Sequence, residues 1–331
     1  MTLTVLEICA GAGGQALGLE RAGFSLEAAV EIDRDACNTL LHNRPAWTVL
    51  RESVKNIDGK KYRGLDLLAG GVPCPPFSIA GKQLGEKDDR DLFPEALRLI
   101  REARPAAVLL ENVPGFASAR FDQYRRRLLQ RISALGYRPE WRVLNACWFG
   151  VPQFRRRFVL VAFKKSVRRA FVWPEPSGSI PPILGDALID VMASRGWRGA
   201  QTWRHRAIGI APTLVGGSKK HGGPDLGPTR AKRQWVALGV DPMGIADEPP
   251  GPHLPADFAP RLTVRMAARI QGFSDSWVFT GGKTSAYRQV GNAFPPPMAH
   301  AVAGRIRAVL LGEVSDRRLE QIPLFAEAEA H

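Results

Sequence analysis

The sequence predicts an α/β protein, with a mostly parallel sheet covered by helices and a smaller irregular region after it. The first half alternates short apolar runs with helical patterns, and the connections between them are short. After about residue 174, Pro, Gly, Trp and Arg dominate and long periodic stretches disappear. Regular patterning returns only at 263–270 and in a final helical stretch. The chain is long enough for two domains.

Each predicted element rests on its own local pattern. The strands are short apolar runs, and the helices combine spaced apolar residues with a stop signal such as Gly23 or Pro45. Strands are expected at 5–9, 26–32, 65–69, 107–110 and 158–163, and helices at 16–21, 35–43, 93–102, 124–135 and 298–311.

Composition narrows the class of protein. The formal net charge is +14, which favours a polyanionic partner such as nucleic acid, although a solvated basic surface gives the same excess. The four cysteines include no CxxC pair, so neither a metal site nor a disulfide framework is expected. The sequence has no signal-peptide pattern and no membrane-length apolar run, and a cytoplasmic protein is expected.

A glycine cluster follows the first predicted strand. Gly11, Gly13 and Gly14 open the next helix, where backbone N–H groups can approach a ligand. Glu31 ends the second strand, where a carboxylate can bind ribose hydroxyls. The pattern favours an adenosine-containing ligand, although a tight turn alone also needs glycine. The spacing is not GxGxxG, which disfavours NAD.

Residues that could take part in catalysis also lie next to the later strands. Cys74 lies between Pro73 and Pro75 after a buried strand, where restricted backbone would fix the direction of one side chain; a buried core thiol is the alternative. Glu111 ends the next strand, so its carboxylate is expected on the same rim. Arg155 and Arg157 precede another strand and point to one side by alternation, although such arginines also bind phosphate or solvent.

Six ordered motifs together resemble the cytosine-5 DNA methyltransferase family over nearly the whole chain. They are the glycine cluster, Pro73-Cys74 with Phe77-Ser78, Glu111-Asn112-Val113, Gln153-x-Arg155-x-Arg157, 261–273 and Gln289-Val-Gly291-Asn292-Ala293. The resemblance implies a Rossmann-like S-adenosylmethionine-dependent methyltransferase fold. It also implies a catalytic domain at 1–172 completed by 285–315, a target-recognition domain at 175–280 and a peripheral tail at 316–331.

The resemblance further implies the reaction. Cys74 would add to carbon 6 of a flipped-out cytosine, Glu111 would bind ring nitrogen 3, and Arg157 with Arg155 would bind the exocyclic oxygen. S-adenosylmethionine would supply the methyl group to carbon 5, and S-adenosylhomocysteine would be the product. Duplex DNA is the implied substrate, and a restriction endonuclease acting on the same site is a plausible partner.

The resemblance assigns two sets of binding residues. The cofactor set departs from the family at Cys9, where an aromatic residue is usual, and at Ser53, where an aspartate often stands. The cofactor residues are Cys9, Ala10, Gly11, Ala12, Gly13, Gly14, Glu31, Ile32, Ser53, Val54, Asn292 and Ala293. The expected DNA-binding residues are Ser78, Gln83, Arg204, Arg206, Lys219, Lys220, Arg230, Lys232 and Arg233.

Three other functions stay open on these residues. Methylation of a tRNA cytosine would use the same catalytic motifs, and the basic recognition region favours duplex DNA over it. A catalytically silent nucleic-acid-binding protein is disfavoured by the intact Cys74 and Glu111. A nucleotide-dependent oxidoreductase is disfavoured by the glycine spacing. The DNA sequence recognised does not follow from the residues.

Overall fold

A seven-stranded sheet forms the centre of the chain, in a computed structural model that describes residues 2–73, 91–178, 180–216 and 225–313. The strands are β1 (Leu3–Ile8), β2 (Phe24–Glu31), β3 (Val49–Arg51), β4 (Leu67–Gly71), β5 (Ala107–Asn112), β6 (Tyr137–Asn145) and β7 (Arg156–Lys164). Their order is β3-β2-β1-β4-β5-β7-β6. The first five are parallel, and β7 is antiparallel to both β5 and β6. The expectation of a mostly parallel α/β sheet is confirmed.

The order of the strands locates a binding crevice. From β1 the chain moves outward to β2 and β3, then returns to place β4 on the other side of β1. At such a switch point the loops leave the carboxyl ends of adjacent strands in opposite directions and open a crevice. The glycine cluster follows β1 at this switch point, and β4 ends there at Gly71, three residues before Cys74 in the sequence.

Helices cover both faces of the sheet. The helices of this part are α1 (Gly14–Arg21), α2 (Arg34–Asn43), α3 (Phe93–Ala103), α4 (Asp122–Ala134) and α10 (Pro296–Leu311). On one face α3 and α4 bury Leu99 and Leu128 against β-strand residues. On the other face α10 buries Val302 in a second cluster with α1. A Cβ on Gly18 of α1 would lie 2.5 Å from the Cβ of Ala299, so the absence of a side chain lets α1 and α10 pack closely.

The region between β7 and α10 contains short helices and no strand within the residues that the structure describes. The helices are α5 (Leu184–Ala193), α6 (Ala200–Arg206), α7 (Thr229–Ala237), α8 (Val264–Ile270) and α9 (Lys283–Asn292). Buried Trp197, Trp203 and Trp235 form its core, and the same cluster includes Leu17 of α1 and Leu40 of α2. Two of the indoles are fixed by backbone oxygens, because Trp197 Nε1 donates to Pro255 and Trp203 Nε1 donates to Gly239. This region therefore packs directly on the sheet's helices.

Over the described ranges, none of the helices has both the length and the apolar character needed to cross a bilayer.

Candidate active site

The glycine cluster forms a tight turn between β1 and α1. Gly11 and Gly13 have φ angles of 55° and 87°, a left-handed conformation that glycine adopts without steric cost. Cys9 has a φ of 53°, which is uncommon for a residue with a Cβ. A Cβ on Gly14 would lie 2.3 Å from the carbonyl oxygen of Phe294. Glycine at position 14 therefore allows the segment after α9 to close over the turn.

Glu31 stabilises the same turn from the end of β2. Its carboxylate accepts backbone N–H groups from Gly11, Ile32 and Asp33, each at 2.8 Å. A carboxylate offers about four lone-pair positions, so these three bonds leave acceptor capacity for a hydroxyl. The placement agrees with the expected contact to a ribose.

A cavity of about 340 Å³ opens at this switch point, and we call it the cofactor cavity. Ten of the twelve predicted cofactor residues line it. They are Cys9, Ala10, Gly11, Ala12, Glu31, Ile32, Ser53, Val54, Asn292 and Ala293. A Cβ on Gly13 would meet Leu40 and Trp277, and Gly14 packs against Phe294, so these two glycines shape the turn from behind. Ile32 is 71% exposed at the cavity, where an apolar side chain suits an aromatic ring.

Two buried polar side chains in the cofactor cavity were missed by the sequence analysis. Glu7 of β1 and Gln15 of α1 both line it and are almost fully buried. Within the described residues, neither side chain makes a hydrogen bond of ordinary geometry through its terminal atoms. Burial, with the charge of Glu31, raises the pKa of Glu7 well above its usual value. In the sequence, the signal for this site was Glu7, a charged residue inside an apolar strand.

The second polar cluster is a buried ion pair between β5 and β7. Arg157 Nε lies 2.7 Å from Glu111 Oε1, and both side chains are about 90% buried. Burial raises the pKa of Glu111, and the positive charges of Arg157 and Arg155 oppose that rise. Burial also lowers the pKa of Arg157. The carboxyl of Glu111 is therefore protonated more readily than that of an ordinary glutamate.

The ends of β4 and β5 are held together beside this pair. Asn112 Nδ2 donates to the carbonyl oxygen of Val72 at 2.7 Å, which fixes the segment leading to Pro73. Pro73 and Glu111 both line the cofactor cavity. The next residue in the chain is Cys74. The predicted residues Cys74, Ser78, Gln83, Lys219 and Lys220 lie outside the described residues.

Arg155 has a different environment from Arg157. It is fully buried, and its guanidinium donates to the carbonyl oxygens of Leu214 at 2.8 Å, Gly291 at 2.6 Å and Ala293 at 3.0 Å. Burial and the neighbouring charge of Arg157 lower its pKa well below the usual range. Within the described residues, Arg155 therefore binds the backbone of two segments, one at Leu214 and the other at Gly291 and Ala293.

Gln153 and Gln271 extend this buried junction. Gln153 Nε2 donates to Gln271 Oε1 at 2.8 Å, and Gln153 Oε1 accepts the N–H of Leu214 at 3.0 Å. Gln271 Nε2 donates to Ala293 O at 2.5 Å. Three of the sequence motifs therefore meet in one polar network.

A further cavity of about 420 Å³, which we call the outer cavity, lies on the other side of the ion pair. Its lining includes Val113, Phe154, Arg157, Val215, Gly291 and Asn292. Arg157 lines the outer cavity and Glu111 lines the cofactor cavity, so the ion pair stands between the two.

The expected DNA-binding residues that the structure describes lie on α6 and α7. Arg206, Arg230 and Arg233 are exposed. Arg204 pairs with Asp186 at 2.7 Å, and Lys232 pairs with Asp225 at 2.8 Å. Arg206 also donates to the carbonyl oxygen of Val236, which joins the two helices. The five side chains therefore carry positive charge on α6 and α7, and two of them, Arg204 and Lys232, are paired with carboxylates.

Comparisons with known proteins identify the family of the chain. The family model for C-5 cytosine-specific DNA methylases matches residues 3–308. The chain is 55% identical to the type II methyltransferase M.NaeI of Lentzea aerocolonigenes, over 96% of this chain and 78% of that protein. It is 50% identical to M.NgoMIV of Neisseria gonorrhoeae, over 95% of this chain and 100% of that one.

A solved structure shows the same fold. A candidate DNA modification methyltransferase encoded within an E. coli prophage superposes with a TM-score of 0.67 and 25% identity, covering 93% of this chain and 99% of its own. With the family model spanning nearly the whole sequence, the chain belongs to the C-5 cytosine-specific DNA methyltransferases.

Proposed function

We propose that the protein transfers a methyl group from S-adenosylmethionine to carbon 5 of a flipped-out cytosine in a specific duplex DNA sequence, through a covalent adduct with Cys74. The single observation that carries the proposal is the buried Glu111–Arg157 pair between the cofactor cavity and the outer cavity. A pyrimidine ring placed at this pair can present one edge to the pair and the opposite edge to the cofactor.

The residues of the cofactor cavity fit S-adenosylmethionine. Glu31 keeps acceptor capacity for a ribose hydroxyl, and exposed Ile32 offers an apolar surface to adenine. The buried carboxyl of Glu7 and the buried amide of Gln15 suit the charged amino-acid end of the molecule. When bound, the cofactor supplies an electrophilic methyl group on a sulfonium. Ser53 and Asn292 complete the polar lining.

The chain's own residues would activate the cytosine. The thiolate of Cys74 forms a bond to carbon 6, and the ring electrons move toward carbon 5 and nitrogen 3. Protonated Glu111 donates to nitrogen 3 and stabilises the charge that develops there. Arg157 donates to the exocyclic oxygen on carbon 2 and stays paired with Glu111. After carbon 5 gains the methyl group, water removes the carbon 5 proton and the Cys74 thiolate leaves carbon 6.

Arg155 is proposed as a positioning residue and not as a second catalytic arginine. Its guanidinium is engaged by three backbone oxygens, two of which flank Asn292. It would therefore act on the reaction through the shape of the cofactor cavity.

DNA would be bound mainly through phosphates. Exposed Arg206, Arg230 and Arg233, together with Arg204 and Lys232, provide positive charge on α6 and α7. Extruding a cytosine from the duplex costs a few kcal/mol, which the contacts with the rest of the site must offset. The chain's similarity to type II methyltransferases supports a restriction endonuclease with the same target as a partner.

The test is bisulfite sequencing of DNA from cells that express the protein, which detects the activity and its target sequence together. We expect protected cytosines at one short sequence motif. A Cys74→Ser variant should give no methylation and should bind the same duplex with an affinity close to that of the wild type. Full methylation by Cys74→Ser would overturn the proposed mechanism. Methylation of tRNA and not of the duplex would overturn the substrate.

A further inference from the structure

Three exposed apolar side chains converge on the outer cavity. Val113, Phe154 and Val215 are 50%, 52% and 41% exposed, and they come from three separate segments of the chain. Single exposed apolar side chains are ordinary on a protein surface. Three of them line one cavity beside a buried ion pair, and we call these three side chains the apolar wall.

Backbone contacts hold the apolar wall in place. The N–H of Phe154 donates to Ala211 O at 2.8 Å, and Thr213 Oγ1 donates to Phe154 O at 2.5 Å. Gln153 and Arg155, on either side of Phe154, are fully buried. Alternation along the chain therefore directs Phe154 away from the interior and into the cavity.

The chemistry of cytosine places one part of the nucleotide beside this wall. Carbon 5 and carbon 2 lie at opposite corners of the pyrimidine ring. If carbon 5 faces the cofactor cavity, then carbon 2 and its oxygen face Arg157, on the side of the outer cavity. Nitrogen 1 is bonded to carbon 2 and carries the sugar. The sugar of the target nucleotide therefore belongs in the outer cavity.

We propose that the apolar wall of Val113, Phe154 and Val215 packs against the deoxyribose of the target nucleotide and selects it over ribose. The proposal rests on the function proposed above, because it places the target base at Glu111 and Arg157. Carbon 2′ of deoxyribose is an apolar CH₂ group, which the wall can cover. A ribose would bring a hydroxyl against apolar side chains, where an unpaired hydroxyl group is unfavourable.

The test compares two duplexes that carry the target sequence found by bisulfite sequencing. One is entirely DNA, and the other has a single ribocytidine at the target position. We expect the wild type to methylate the ribocytidine duplex with a kcat/KM at least about tenfold lower, as an unpaired buried hydroxyl implies. The ratio of kcat/KM on the all-DNA duplex to kcat/KM on the ribocytidine duplex measures this preference. Phe154→Ser and the isosteric Val215→Thr should each reduce this ratio severalfold. Phe154→Leu, which keeps the wall apolar, should preserve it.

Ile208→Ser is the matched control. Ile208 is 69% exposed and is not part of the outer cavity's lining, so this variant should keep the wild-type ratio. Equal rates of the wild type on the two duplexes would overturn the proposal, as would an unchanged ratio in both Phe154→Ser and Val215→Thr. No methylation of the all-DNA duplex would instead contradict the proposed function. The two failures are therefore distinguishable.

Discussion

Replacing Arg155 by lysine separates positioning from catalysis at this site. The guanidinium makes three hydrogen bonds to carbonyl oxygens on two segments, Leu214 on one and Gly291 and Ala293 on the other. A lysine presents its donors from a single point, so it can keep about one of these bonds. Hydrogen bonds from charged groups contribute about 1.5–3 kcal/mol each. Losing two of them should lower the free energy of unfolding by about 3–6 kcal/mol.

The kinetic effect of Arg155→Lys should follow the same geometry. Gly291 and Ala293 flank Asn292, which lines the cofactor cavity. Loosening this turn should raise the KM for S-adenosylmethionine about tenfold or more, equivalent to 1.4 kcal/mol or more of binding free energy. Arg155 is not expected to touch the reacting base, so kcat should stay within about threefold of the wild type.

The assay pairs urea unfolding with steady-state methylation at saturating DNA, and Arg157→Lys is the comparison. Arg157 is also buried but is paired with Glu111. Its lysine variant should lose about 100-fold or more in kcat, with little change in the KM for the cofactor. Unfolding of Arg155→Lys at the wild-type urea concentration, or a loss of kcat as large as that of Arg157→Lys, would contradict a positioning role for Arg155.

Three further predictions concern the charged groups. Glu111→Gln should lower kcat about 100- to 10,000-fold with duplex binding retained by filter assay, and should flatten the loss of rate that occurs as pH rises through the raised pKa of Glu111; an unchanged pH profile would exclude Glu111 as the proton donor. The raised pKa of Glu7 means that the folded chain loses stability as pH rises from the ordinary glutamate value through the folded value. Glu7→Gln should therefore raise the free energy of unfolding by about 1–3 kcal/mol at pH 7 and weaken binding of S-adenosylmethionine in calorimetry, with no stabilisation near pH 3; equal stabilisation at both pH values would contradict this account. Arg230→Ala and Arg233→Ala should each reduce the slope of log K against log salt for DNA binding by about 0.9 if the side chain binds a phosphate, and an unchanged slope in both would remove α7 from the DNA surface.

The sequence predicted the central strands well because a buried parallel strand is a nearly continuous apolar run. The strands β1, β4 and β5 bear this out, and their carboxyl ends hold the motifs. The strand β6 escaped prediction because it lies at the edge of the sheet. There Arg138, Glu140 and Arg142 alternate with less exposed residues, and Pro139 stands inside the strand. Edge strands tolerate such residues, so the sequence resembles a loop.

The region after β7 was predicted only in outline. Its core depends on buried tryptophans and on N–H bonds to distant backbone oxygens, such as Trp197 to Pro255. Contacts between residues that are far apart in the sequence leave no local period. Glu7 and Gln15 were missed for a related reason. Their role is indicated mainly by burial without ordinary hydrogen-bond partners, which is a property of the folded cavity, and the sequence signals it only through the charge of Glu7 inside an apolar strand.

Arg155 and Arg157 belong to one sequence motif, but the local pattern does not predict that their partners differ. Alternation predicts that Arg155 and Arg157 point to the same side, and both side chains are buried. Their partners differ because β5 ends at Asn112, which pairs with Phe158 of β7. Arg157 lies one residue beyond that pair and still reaches back to Glu111. Arg155 lies two residues further on, past the end of β5, where the segments of Leu214 and Gly291 replace the strand. Strand register therefore decides that Arg157 pairs with Glu111, whereas Arg155 binds the backbone of two other segments.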